Sequence, residues 1–196
     1  MTAFLAVLRV LAPVNTGLLA VGRWIGVLAL GLMVVAILIQ VYFRYVLGNA
    51  LPWPDEAARF CMLWMTGLMA PTAFRAGGFV AIDFMDGLIR GAAIHLLQLF
   101  LLAVSLTVLI VAVQIGYKEV TGLGGRFATA SLYVPTSLGF GDWYRVPRSW
   151  MMLSLLIGVM LLILVNVELI LERIVRLFGQ GDRLPARPGL DIGGAE

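Results

Sequence analysis

Four long apolar runs, each bounded by charged residues, decide what this chain can become. A bilayer core about 30 Å thick needs about 20 apolar residues per helix. The first run, Trp24 to Phe43, lies between Arg23 and Arg44 and holds Gln40 as its only strongly polar side chain. The second, between Arg59 and Arg75, has 15 uncharged residues and reaches spanning length if its helix begins near Pro54. There Pro54 suits a first helical turn, and Asp55 and Glu56 complement the positive end of the helix dipole. The third, between Arg90 and Lys118, offers 27 uncharged residues. The fourth runs from Ser149 to Val167 and continues past Glu168 to Leu171. The expected fold is all-α and membrane-integral, with transmembrane helices at 24–46, 54–75, 92–117 and 149–171.

Composition excludes the alternatives. Of the 196 residues 61% are hydrophobic and 13% charged, too apolar for a soluble domain of this size to cover. The 14 basic residues give a net charge of +3 but are spread along the chain, so no nucleic-acid partner is indicated. Trp24, Trp53, Trp143 and Trp150 fall near span ends, where amphipathic rings favour the headgroup region, whereas Trp64 sits inside a span. A single Cys, Cys61, and a single His, His95, leave no disulfide, no CxxC motif and no bis-histidine haem within the chain. No nucleophile elbow, phosphate-binding loop or HExxH helix is present. No catalytic residue, metal site or cofactor is expected, and the chain reads as a non-enzyme. The reading from another class is a structural or haem-binding membrane anchor of a redox enzyme, with His95 as ligand.

The connections have their own character. Residues 1–21 are apolar, but Pro13, Asn15 and Thr16 are expected to break them into an interfacial segment ahead of a four-span domain at 22–174. Residues 79–90 read as a short amphipathic helix in the interface plane, with Asp83, Asp86 and Arg90 on one side. The outer loop 118–148 is rich in Gly and aromatics, and Pro135 and Pro147 argue against one continuous helix there. Residues 179–196, with five Gly and two Pro, read as a disordered tail. Counting Lys and Arg by loop places eight inside and six outside when both termini are cytoplasmic.

Between the flanking charges the spans hold almost no ionisable group, which argues against a transport pathway within this chain. They hold material for helix packing instead: Gly22 with Gly26, Ser154 with Gly158, and Gly67 with Ala70. On the third span His95, Gln98 and Ser105 lie within about 80° of each other, while Thr107 and Gln114 point nearly opposite. Two polar faces indicate protein on both sides, or else His95 and Gln114 reach interfacial water. Around the first loop, Arg44 can pair with Asp55 and Glu56 across the connection, or Glu56 and Arg59 can contact a partner subunit.

One series of residues resembles a known family. Arg44 closes the first helix and is followed by Leu51, Pro52, Trp53, Asp55, Glu56, Ala58 and Arg59, then Trp64 and Gly67, then Arg75, Gly77 and Asp83. This order and spacing is similar to that of the small permease subunits of tripartite ATP-independent periplasmic (TRAP) transporters, over roughly residues 20 to 170. Phe79 stands where that family usually has His, and the stretch from Trp143 to Pro147 resembles the family's approach to its last helix. The resemblance implies a multi-pass subunit of the bacterial inner membrane that pairs with a large multispanning permease and receives substrate from a periplasmic binding protein. It further implies sodium coupling, organic-acid substrates, and a large subunit that moves the cargo sites in an elevator fashion while the small one supports the stationary scaffold. Arg44, Trp53, Asp55, Glu56, Arg59, Trp64, Arg75, Gly77, Asp83, Gln98 and Trp143 are the expected interface or structural residues, with membrane lipid around the spans.

Overall fold

A computed structural model describes residues 2–76, 92–135 and 143–178. The expected interfacial helix at 79–90, with Gly77 and Asp83, and the expected tail at 179–196 lie outside the described residues. In chain order the elements are α1 (Thr2–Tyr45), α2 (Trp53–Arg75), α3 (Ala92–Thr121), the single turn α4 (Leu123–Arg126), β1 (Ala128–Pro135), β2 (Trp143–Pro147) and α5 (Arg148–Leu177). Three helices, α1, α3 and α5, are long and apolar enough to cross a membrane.

The expected break at Pro13, Asn15 and Thr16 is absent: α1 is one helix of 44 residues with Pro13 inside it. The reason lies in its buried seam. Leu8, Asn15, Leu19, Gly22, Gly26, Ala29 and Ala36 are all buried, recurring at steps of three, four or seven residues, while Pro13 is exposed. Proline removes one backbone hydrogen bond and crowds the preceding turn, but a membrane helix tolerates this when neighbours pack against it. Here packing holds the helix on both sides of the proline.

At the far end of α1, Gly48 adopts φ +64° in the short connection to α2. This left-handed conformation costs glycine little. Trp53 opens α2 close to the expected start, with proline at the first positions and Asp55 and Glu56 in the first turn.

Among the long helices α5 is central, packing against α1, α2 and α3, while α1 and α2 also form an extensive pair. Small residues set these crossings. A Cβ on Gly67 would stand 2.5 Å from the Ser154 carbonyl oxygen, and one on Gly158 would stand 2.5 Å from that of Gly67. The backbones of α2 and α5 therefore touch, as small-residue helix pairs do. Gly22 and Gly26 face Leu68 and Met69 of α2, so that pair also serves contacts within the chain. Leu19, Leu102, Val165 and Leu169 form a buried cluster joining α1, α3 and α5.

The expected loop at 118–148 is only partly a loop. Ala128–Pro135 and Trp143–Pro147 pair as an antiparallel hairpin, with Tyr133 opposite Arg145 and a register shift between Ala128 and Tyr133. Each strand ends on a proline, Pro135 and Pro147, at positions where no further ladder donor is needed.

Candidate functional site

Two polar assemblies stand at opposite ends of α2. At a rise of 1.5 Å per residue, Asp55 and Arg75 are about 30 Å apart along the helix, the thickness of a hydrocarbon core.

At the N-terminal end, Glu56 ties α2 to the hairpin. Its carboxylate accepts from the Ala130 amide at 2.8 Å, the Ser131 amide at 2.5 Å and the Ser131 hydroxyl at 2.7 Å. The Ser131 side chain also reaches the Pro52 carbonyl at 2.8 Å. Arg145 serves the same irregular stretch from its other side, donating to the carbonyls of Thr129 and Ala130 and lying 5.7 Å from the Tyr133 ring centroid. The Thr129 hydroxyl bonds the Val146 carbonyl at 2.7 Å. The register shift exposes backbone groups that a regular ladder would pair, and one acid and one base satisfy them.

Substituting Glu56 by Ala is expected to leave the Ala130 and Ser131 amides without their acceptor and make local opening of the hairpin about 1–3 kcal/mol easier. Limited proteolysis within 128–147 should then be faster than in the parent, and an unchanged cleavage rate would mean that Glu56 does not hold the hairpin.

The other predicted residues of this end separate. Arg44 does not pair with Asp55 or Glu56: its guanidinium lies 5.9 Å from the Tyr45 ring centroid, and neither it nor Arg59 forms an ion pair among the described residues. Glu56 is committed to backbone amides, which bind a carboxylate without needing a second long side chain to be ordered. Asp55 accepts from Gln40 at 3.5 Å, the long limit of a hydrogen bond. Trp53 and Trp143 join Ser131, Leu132 and Tyr133 around an open groove of about 770 Å³ at this end. Trp64 is half-buried, its ring centroid 6.2 Å from that of Phe60 one turn earlier on α2.

At the C-terminal end of α2, Arg75 donates to Glu168 of α5 at 2.5 Å, and the side chains are 11% and 0% exposed. The last residue of α2 and an interior residue of α5 supply this pair, and α1 completes it. Asn15 donates to the second Glu168 oxygen at 2.7 Å, and Arg75 also reaches the Thr16 hydroxyl at 2.8 Å and the Ala12 carbonyl at 3.2 Å. One charged pair thus closes three helices at a single level, with both carboxylate oxygens occupied. Sequence reading marks Arg75 but misses Glu168 and Asn15. A signal for Asn15 was present, since it falls on the same heptad-like stripe as Leu8, Leu19 and Gly22.

Gln98 is 2% exposed on the face of α3 that also carries buried Leu102. The outward faces of α1 and α3 expose large apolar side chains along most of their length. This is the surface of a protein embedded in lipid or in a larger assembly.

No curated protein and no solved structure matches the chain. The model of one family does: the DctQ component of tripartite ATP-independent periplasmic transporters matches residues 33–176. That match takes in α2, α3, α5, the hairpin, Glu56 and the Arg75–Glu168 pair and leaves out Ala12, Asn15 and Thr16 of α1, and the chain belongs to this family, the small permease component of TRAP transporters.

Proposed function

We propose that this chain is the non-catalytic membrane scaffold of a sodium-coupled, binding-protein-dependent transporter of organic acids. It pairs with the large multispanning permease subunit in the bacterial inner membrane, and the large subunit holds the sodium and cargo sites. On this reading α2 is a fourth span, its 23 residues being about 34 Å long, and both termini are cytoplasmic. The hairpin and the groove beside Trp53 and Trp143 then face the periplasm, where they dock the substrate-binding protein. Sodium coupling and the organic-acid class rest on the family resemblance.

The observation that supports the scaffold role is the closed state of Arg75 and Glu168. A cargo or ion pathway needs a charged group with free coordination at membrane depth. Glu168 instead spends both oxygens on Arg75 and Asn15, which suits holding helices together.

Purification from the native host in mild detergent tests the reading. A large hydrophobic protein is expected to co-purify, without Soret absorbance. Isolation of the chain alone, or with a haem-bearing partner, would overturn it.

A further inference from the structure

At the end of the bundle where α2 begins, one cation is held in place without being neutralised. The Arg145 guanidinium donates from Nε to the Thr129 carbonyl and from Nη2 to the Ala130 carbonyl, and it lies 5.7 Å from the Tyr133 ring centroid. Its other terminal nitrogen, Nη1, makes no hydrogen bond among the described residues, and Arg145 forms no ion pair with any of them. Backbone carbonyls and a ring thus fix the side chain and leave one edge of the fork open. Such an edge matches a carboxylate, which it can receive through two parallel bonds. Because the guanidinium is already ordered, an incoming carboxylate does not have to immobilise a long flexible chain.

The groove beside it supplies apolar surface. Tyr133 stands opposite Arg145 across the hairpin, and Trp143 lies diagonal to Tyr133 on the same face. With Trp53 at the start of α2 these rings line the open groove of about 770 Å³, and all three are exposed. Ser131, which also lines it, spends its hydroxyl and amide on Pro52 and Glu56. The walls therefore offer rings, and Arg145 adds the charge. Trp, Tyr and Arg are the side chains that dominate the energetics of protein interfaces.

The surroundings are basic as well. Residues 44–59 and 118–148 hold six basic and four acidic side chains, and one of those acids, Glu56, is committed to the hairpin amides. Lys and Arg ordinarily gather on the cytoplasmic side of a membrane protein. An excess at the opposite end suits an anionic partner.

We propose that an acidic patch of the periplasmic substrate-binding protein docks here, with one Asp or Glu carboxylate on the open edge of Arg145 and a neighbouring apolar side chain in the groove between Trp53 and Trp143. The inference rests on the reading above that this end faces the periplasm and meets the binding protein, and it adds the residues and the chemistry that hold the two together.

Titration of the binding protein onto the complex of this chain with the large permease, in neutral phosphatidylcholine nanodiscs, tests it. The affinity of the parent complex is expected to fall with rising salt. Arg145→Gln should weaken binding about tenfold at low salt and flatten the salt dependence. Trp143→Ala, which leaves the Arg145 bonds in place, should weaken it about tenfold at every salt concentration. Tyr144→Ala, on the opposite face of the same strand, should leave it unchanged. Arg145 also braces the hairpin, so the flattened salt dependence is the decisive readout, one that a merely loosened hairpin would not give. Unchanged affinity in Arg145→Gln or in Trp143→Ala would overturn this site while leaving the docking of the binding protein standing. So would an equal loss in Tyr144→Ala. A loss in Arg145→Gln confined to anionic phosphatidylglycerol nanodiscs would assign Arg145 to lipid phosphate and overturn the proposal too. No binding by the parent complex would overturn the docking reading and this inference with it.

Discussion

Replacing Arg75 by Ala is expected to destabilise the bundle by about 3–5 kcal/mol, because it leaves the Glu168 carboxylate buried without its counter-charge. Glu168 is 0% exposed and sits where α1, α2 and α5 converge, so the carboxylate cannot turn to water without separating helices. Glu168→Ala should also destabilise the bundle, since nearly buried Arg75 then loses this counter-charge while keeping the Thr16 hydroxyl and the Ala12 carbonyl among its acceptors. Exchanging both residues for Leu should recover most of the loss, as apolar pairs of similar volume commonly replace buried ion pairs without penalty. Asn15 would keep the Leu164 carbonyl at 3.3 Å in that double variant. Thermal unfolding in detergent, followed by the tryptophan signal, distinguishes these cases. Single variants as stable as the parent would show that the pair is not a clasp.

The crossing of α2 and α5 predicts the second large effect. A side chain at Gly158 would begin 2.5 Å from the Gly67 carbonyl oxygen and 2.8 Å from its Cα, and these are backbone atoms that cannot turn aside. Gly158→Leu must therefore drive the two helices apart, at a cost on the order of 1–3 kcal/mol, and should show as early unfolding and as loss of the clasp's protection from proteolysis. Gly26→Ala is the control. Its Cβ would meet the Met69 Cγ at 2.7 Å, and a methionine side chain is flexible enough to move. Equal losses at Gly26 and Gly158 would mean that backbone contact does not set the crossing.

Local signals made much of this architecture legible. Pro54, Asp55 and Glu56 announce the start of α2 because proline and acids suit a first turn wherever that turn sits. Gly67, Ser154 and Gly158 stand out because small residues in apolar helices mark close approach. The two polar faces of α3 follow from the 100° step alone, and the structure turns one of them, with buried Gln98, into the bundle.

What was not legible depended on partners distant in sequence. Asn15 reads locally as a helix breaker, and only its contact with Glu168, 153 residues away, explains why it stays in a helix. The hairpin escaped because its register shift is satisfied by Glu56, 74 and 75 residues before the amides it binds. Arg44 near two acids reads as an ion pair, yet backbone amides take Glu56 first. In each case a polar group chose between several partners, and the choice was made by packing.

Transport by reconstituted components tests the scaffold account most directly. The large permease subunit and the binding protein are placed in proteoliposomes with and without this chain, and this chain is also placed in them alone. The account predicts no substrate flux from this chain by itself, and flux from the large subunit that falls well below the full set when this chain is omitted. Flux through this chain alone, or an equal rate without it, would contradict the account.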